Sequence, residues 1–315
     1  NPVETVFKRP PTRPFDFQRH VNSMSHPDIP AFLERIRSVI DDYPNRFTVA
    51  EVGGPFPMDE MKAFTEGDNR LNSAYAFDFL YADHLSAGLI RQTLAEWPGE
   101  PKEGWPSWAF SNHDAPRAVT RWRESCDEAR YAKLLAALLA SFRGNIFVYQ
   151  GEELGLPQAN VAFEDLKDPE AITNWPETLG RDGARTPMPW TQANRCAGFS
   201  TETPWLPVDE RHIGMTVTKQ NEDTDSVLNF YRDIIALRKD SPALRHGDIE
   251  FLDSVPELLL IKRTSEAETR ICVFNLTDSA FPLPALPKLK ADMVVGDSVI
   301  NGQLPAYSGI ISQAF

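Results

Sequence analysis

Ser107-Trp-Ala-Phe110 is a short apolar run that stops in Ser-Asn-His-Asp114, and the next such run, Asn145-Ile-Phe-Val-Tyr149, stops in Gln-Gly-Glu-Glu153. Between them Tyr131, Leu134, Leu135, Leu138, Leu139 and Phe142 recur at the spacing of one helix face, with Gly144 closing the helix. Strand, polar strand end, helix, strand is the grammar of βαβ units. The pattern extends upstream. Ala74–Phe79 reads as a strand followed by a helical stretch near 83–97. Arg46–Ala50 reads as a short buried strand with Glu51 at its end and Gly53-Gly54-Pro55 breaking the chain. Before it, Ile29, Phe32, Leu33, Ile36, Val39 and Ile40 mark an amphipathic helix, with Asp28 as N-cap and Pro30 in the first turn. The first 28 residues are polar and proline-rich and read as loop.

Downstream the character changes twice. Residues 151–224 are rich in Pro, Asn, Asp and Gly and read as one long loop, a feature that is usually functional inside a compact protein. A helix through Val227, Phe230, Tyr231, Ile234 and Ile235 stops before Ser241-Pro242. From about 248 short apolar runs alternate with turn residues, which predicts a small antiparallel β domain. The fold class is therefore α/β, with βα units over residues 1–246 and an all-β domain over 247–315. Four parallel strands suit either an open doubly wound sheet or half of an eight-stranded barrel.

Composition narrows the partners. The net charge of −13 repels nucleic acid and anionic membrane, and neither is expected as a partner. The three cysteines, Cys126, Cys196 and Cys272, are odd in number and lack CxxC spacing, so neither a disulfide framework nor a zinc site is expected. A reducing, cytoplasmic setting fits that usage. The histidines show no metal-ligand spacing.

The polar residues of interest stand at strand ends: Glu51, Asn112-His113-Asp114, and Gln150 with Glu152 and Glu153. For Glu51 alone a solvated loop carboxylate is the plainer reading. Two carboxylates at the ends of different strands change that. Glycoside hydrolysis needs one carboxylic acid to protonate the leaving oxygen and a second carboxylate to attack the anomeric carbon or activate water. Trp105, Trp108, Trp175, Trp190 and Trp205 near loop positions fit a sugar ligand, although core packing is the plainer reading for each.

At these residues the sequence resembles the α-amylase superfamily of glycoside hydrolases, in its α-glucosidase and oligo-1,6-glucosidase branch. Phe47-Thr-Val-Ala-Glu51-Val-Gly-Gly is similar to the motif bearing the general acid/base. Phe110-Ser-Asn-His113-Asp114 matches the motif of the transition-state-stabilising Asp and its His. Tyr149-Gln-Gly-Glu-Glu153-Leu-Gly-Leu resembles the motif closing the eighth strand. Arg181-Asp-Gly-Ala-Arg185-Thr-Pro-Met-Pro-Trp190 resembles a branch-typical motif, with Pro189 where the family has Gln.

The resemblance implies strands five to eight of a (β/α)8 TIM barrel, followed by an antiparallel β-sandwich domain. It implies Glu51 and Asp114 as catalytic residues, with Glu51 the general acid and then the general base. That role requires a desolvated setting or a nearby negative charge. His113 and Arg181 would bind the sugar ring, with Arg185 a further substrate-binding candidate, and Phe77 would form an apolar wall. Arg117 is expected in a structural or an outer-subsite role. The plainer reading of Arg181 is an ion pair with Asp182.

The family's nucleophilic Asp, in Gly-Phe-Arg-x-Asp, and its Asp-x-x-x-Asn-His motif do not occur in this sequence. The chain thus reads as a C-terminal half whose partner is the missing N-terminal half of the same enzyme. No cofactor or metal is expected in this chain; a calcium or magnesium structural site would belong to that other half. A half-barrel alone is expected to expose strand edges and to aggregate. The implied activity is that of a retaining α-glucosidase acting on an α-glucoside disaccharide or oligosaccharide. A sucrose-type glucosyl transferase or isomerase, and a non-catalytic carbohydrate-binding or partner-docking relative, are the alternatives.

Overall fold

The computed structural model describes residues 1–6, 11, 14–53, 56–97, 104–178, 180–192 and 196–315. Gly54 and Pro55, expected to break the chain after Glu51, lie outside the described residues. The chain divides into two compact units, residues 1–77 with 95–107, and residues 78–94 with 108–315.

In the first unit, helix α1 spans Ile29–Ile40, the range its apolar spacing predicts, with a proline in its first turn. Asp28 stands at the cap position but makes no side-chain cap bond. Its backbone is already helical (φ −81°, ψ −8°), whereas a capping side chain works from extended backbone. Of the apolar face Leu33 is buried and Ile29, Ile36 and Ile40 are half-buried, whereas Phe32 and Val39 are 57% and 59% exposed.

Strand β1 is Val49–Val52, later than the sequence suggests, and Val49 is exposed. Its extent follows its partner: β2, Ser73–Ala76, runs parallel to it and pairs Val49 with Ser73 through Val52 with Ala76. Glu51 is thus inside the strand, opposite Tyr75, and not beyond its end. Helix α2, Pro57–Thr65, lies between the strands in sequence and packs by Met58 and Met61, an element beyond those the sequence pattern predicts.

The remaining chain carries α3 (Ala87–Ala95), β3 (Ser107–Ala109), α4 (Ala118–Trp122), α5 (Glu128–Ser141) and β4 (Asn145–Phe147). Among the described residues β1 pairs with β2 and β3 with β4, two two-stranded sheets and not one four-stranded ladder. In the second unit Phe79, Trp108, Phe110 and Phe142 form an aromatic core with ring centroids 5.4 to 6.3 Å apart. The Trp108 indole N–H donates to the Arg143 carbonyl at 2.7 Å, which explains how so large a polar-tipped ring is buried there.

Residues 151–224 are not one irregular loop. They carry short helices, α6 (Pro169–Asn174), α7 (Glu210–Ile213) and α8 (Val217–Glu222), each capped by a side chain just before it: Asp168, Asp209 and Thr216. Helix α9 (Val227–Asp240) follows a Ser226 cap, and α10 (Pro242–His246) a Ser241 cap.

The C-terminal segment is β5 (Asp248–Phe251), β6 (Leu258–Thr264), β7 (Thr269–Asn275), β8 (Phe281–Pro282), β9 (Leu289–Val295), β10 (Gln303–Leu304) and β11 (Ser308–Ala314). Five strands form an antiparallel sheet in the order β5-β6-β7-β11-β9. The antiparallel β8–β10 pair covers one face through Leu304 and Phe281, packed with Leu258, Leu260, Ile271 and Val273. Helix α5 approaches β11 where Gly309 lacks a side chain; a Cβ there would lie 2.7 Å from the Phe274 ring and 3.1 Å from Leu134.

Two buried arginines finish α5. Arg238 of α9 donates to the carbonyls of Ala140, Phe142 and Gly144, and Arg263 of β6 to those of Ser141 and Gly247. Helix C-terminal carbonyls lack intrahelical donors, and cations complement that end of the dipole. Burial lowers the two guanidinium groups to about 10 and about 9, which still leaves them charged at neutral pH.

Among the described residues no helix is long and apolar enough to cross a membrane.

Candidate active site

The segment after β3 is shaped by Asn112. Its side-chain oxygen accepts from the backbone N–H of Asp114 at 2.9 Å and of Ala115 at 2.8 Å. This local turn is one that short polar side chains favour, and it fixes the chain at Asp114. The Asp114 carboxylate then meets three groups on one oxygen. Arg185 Nη2 donates to Oδ1 at 2.7 Å, and Arg181 Nη1 and His113 Nε2 stand 3.5 Å from it. Oδ2 has no hydrogen-bond partner among the described residues, and the side chain is 29% exposed.

Arg181 and Arg185 bracket a single 3-10 turn, Asp182–Ala184. Arg181 is not paired with Asp182. Its Nε and Nη2 engage Asp168 Oδ2 and Oδ1 at 2.9 and 2.8 Å, and its own backbone N–H donates to Oδ2 at 2.9 Å. Asp182 turns inward and accepts from the backbone N–H groups of Lys167 and Asp168. The fork-on-fork bond from Arg181 holds the Asp168 carboxyl well below the usual carboxylate range, and the same bond raises the guanidinium of Arg181. With Nε and Nη2 occupied, Nη1 is the edge left to face Asp114.

Arg117 is 2% exposed. It donates to the carbonyls of Gln150 at 2.7 Å and Ala184 at 3.2 Å, and so ties the strand-end turn after β4 to the turn bearing both arginines. Tyr149 donates to the same Ala184 carbonyl at 2.9 Å.

In the first unit the Tyr75 hydroxyl donates to the Glu51 carboxylate, a consequence of their facing positions in the β1–β2 ladder. Phe77, expected as an apolar wall, packs edge-on against Tyr75 with centroids 6.0 Å apart and is half-buried. Glu51 is exposed within this unit, where the Tyr75 hydroxyl meets its carboxylate.

Second-unit residues His113, Asp114, Arg181 and Arg185 are thus brought into one cluster, while Glu51 and Phe77 belong to the first unit with Tyr75. Of the tryptophans, Trp108 is core, whereas Trp175, Trp190 and Trp205 are exposed. Asp168 and Tyr75 contact the candidate residues Arg181 and Glu51, and the sequence pattern singles out neither. Asp168-Pro169 does carry a legible sign, a capping Asp followed by a first-turn Pro, but nothing local pairs it with Arg181. No group of three or more His, Cys, Asp or Glu side chains suited to a metal ion occurs among the described residues.

Comparison with known proteins places the chain. Residues 3–247 match the family model "Alpha amylase, catalytic domain". The chain is 39% identical over 311 residues to the "Probable alpha-glucosidase" of Rhizobium meliloti (strain 1021), covering 96% of this chain and 56% of that protein. It is 30% identical over 301 residues to the oligo-1,6-glucosidase of Parageobacillus thermoglucosidasius, covering 84% of this chain and 52% of that protein. The crystal structure of the alpha-glucosyl transfer enzyme XgtA superposes with a TM-score of 0.87 at 38% identity, over 96% of this chain and 57% of that one. The trehalulose synthase MutB from Pseudomonas mesoacidophila MX-45, at 24% identity and TM-score 0.80, shares the fold. The chain spans about half the length of these relatives. It belongs to the alpha-amylase family, in the branch that holds the α-glucosidases and oligo-1,6-glucosidases.

Proposed function

We propose that this chain supplies the acid/base and sugar-holding residues of a retaining α-glucosidase that releases terminal α-linked glucose from short oligosaccharides. The observation that carries the reading is Asp114: one carboxylate oxygen is held by Arg185, and the other is free to accept from a sugar hydroxyl. A carboxylate gripped on one side and open on the other binds a ring rigidly. Its negative charge also stabilises the positive charge that develops on the ring in the transition state.

In this scheme residues 1–246 form strands five to eight of a (β/α)8 barrel and residues 247–315 the β-sandwich domain. The N-terminal half, on the same or a second polypeptide, brings the nucleophilic Asp. Glu51 protonates the glycosidic oxygen as that Asp attacks the anomeric carbon, and the leaving alcohol departs. Glu51 then takes a proton from the water that hydrolyses the glycosyl ester. His113 and Arg181 hold the ring, Arg185 aims Asp114, and Phe77 walls the site. Tyr75 orients Glu51 through its hydroxyl.

Glucosyl transfer is the second reading, favoured by the 38% identity to a named alpha-glucosyl transfer enzyme. It differs only in which hydroxyl Glu51 activates in the second step. The test is Glu51→Gln in the complete enzyme. Turnover of a natural disaccharide should fall about 10²–10⁴-fold, with an activated aryl glucoside less affected in the first step because its leaving group needs little acid help. Undiminished disaccharide cleavage would sink the assignment of Glu51.

A further inference from the structure

Beneath the Asp114 cluster lies a carboxyl group that sugar binding does not use. Glu152 opens the turn after β4 and accepts from the Tyr149 backbone N–H at 2.8 Å and from the Ser111 hydroxyl. Arg117, Arg121, Glu153 and Tyr231 are the charged and titratable groups around it, drawn from the segment before α4, from α4, from its own turn and from α9. Glu152, Arg117, Leu156 and Tyr231 line a small cavity with room for about one water.

Arg117 connects this cavity to the site above. Its Nη1 and Nη2 hold the carbonyls of Gln150 and Ala184, but its Nε has no hydrogen-bond partner among the described residues. The guanidinium lies close against Gly151, where a Cβ would stand 2.6 Å from Nη1. Ala184, which takes the longer of the two bonds, immediately precedes Arg185.

We propose that Glu152 is a positioning residue: from its cavity it sets where the Arg117 guanidinium rests, and through the Ala184 carbonyl it sets Arg185 against Asp114. A neutral carboxyl both donates and accepts, whereas an ionised one only accepts and must find donors. Two buried Nε–H groups around Glu152, those of Arg117 and Arg121, have no hydrogen-bond partner among the described residues, and the Arg117 one belongs to the group that also holds Ala184. Burial pushes the Glu152 carboxyl up to about 7, against the pull of the Tyr149 N–H, the Ser111 hydroxyl and Arg117. Below that pH Glu152 is neutral and Arg117 stays on its two carbonyls. Above it the new anion draws Arg117 inward and slackens the hold on Ala184. The consequence for turnover rests on the sugar-site reading of Asp114; the coupling itself can be read without sugar.

The experiment follows the arginine Nε–Hε resonances of residues 1–315 by NMR from pH 5 to 8.5 in the complete enzyme, with the isotope label confined to this segment. His113 is titratable and its carbonyl is Arg185's second acceptor, so the series is run in a His113→Asn background. Arg117 and Arg185 should move with one shared midpoint near pH 7, and both steps should vanish when Glu152→Gln is added. An Arg185 resonance that lacks the step, or keeps it in the Gln variant, overturns the proposal. Should the Gln variant not fold, the background titration still decides by whether the two midpoints coincide. If the resonances move together but the complete enzyme cleaves no α-glucoside, the coupling stands and the sugar-site reading falls.

Discussion

Arg185 holds the Asp114 segment at two points: Nη2 donates to the Asp114 carboxylate at 2.7 Å, and Nε to the carbonyl of His113 at 2.8 Å. One planar group thereby fixes a side chain and the backbone that carries it. A lysine has charge but no such fork. Arg185→Lys in the complete enzyme should therefore lower kcat/KM on a natural disaccharide by about 10²-fold, the scale of a small misplacement at a reacting centre. The Tm of that enzyme should move by no more than about 2–4 °C. A large Tm loss with no added activity loss would make Arg185 a fold residue instead.

Asp168 has a side chain fully removed from solvent, and its partner Arg181 is about a third exposed at 36%. Removing the charge leaves the guanidinium without its anchor. Asp168→Asn should cost about 1–3 kcal/mol at pH 7, less than a fully buried pair because Arg181 is partly solvated. The sign with pH follows from the lowered folded-state pKa. The pair's contribution is complete above the ordinary carboxyl value of 3.8 and is lost as pH falls through the depressed one. Urea unfolding of both proteins should show the gap wide at pH 7 and narrower at pH 3; a gap that widens with acid would contradict this.

Glu152 predicts the opposite slope. A carboxyl raised from 4.5 to about 7 stabilises fully below 4.5, and that contribution fades as pH rises through about 7. The total is about 3 kcal/mol, at 1.36 kcal/mol per pH unit. Glu152→Gln, which mimics the neutral acid, should match the parent near pH 5 and exceed it in unfolding free energy above pH 7.5. A difference that stays flat across that range would rule out burial as the cause.

Gly183 sits in the turn between the two arginines, where an added Cβ would stand 2.5 Å from both the Ala159 carbonyl oxygen and Gln158 Nε2. The backbone atom cannot yield cheaply. Gly183→Ala should lower stability by about 1–3 kcal/mol and displace Arg181 and Arg185 together. The check is activity against Tm: the complete enzyme should lose more turnover than the thermal shift explains at the assay temperature.

What could be read from sequence was what repeats locally. Helix α1 has its predicted ends because six apolar residues at helical spacing define them. Strand β1 begins later than its apolar run predicts because a strand's extent is set by its neighbour, here Ser73–Ala76, which no local pattern in residues 46–52 reveals. Helices α6 to α8 have four to six residues, too few for a periodicity to emerge, although their caps at Asp168, Asp209 and Thr216 were in plain view. His113 and Asp114 were legible because they end an apolar run. The Asp168–Arg181 bond was not, because it is made by a loop folding back over thirteen residues.

The guanidinium groups of Arg238 and Arg263 that close helix α5 have a consequence for modularity. One comes from α9 and the other from β6, so the helix end is completed only when both are present. A chain cut near residue 247 would strand the Ser141 carbonyl in a dry setting, where a lost partner costs about 1–3 kcal/mol. The C-terminal sheet is therefore no detachable appendage. Helix and sheet must be inherited together, and a graft of this sheet onto another scaffold would succeed only if that scaffold presents a helix end for Arg263 to grip.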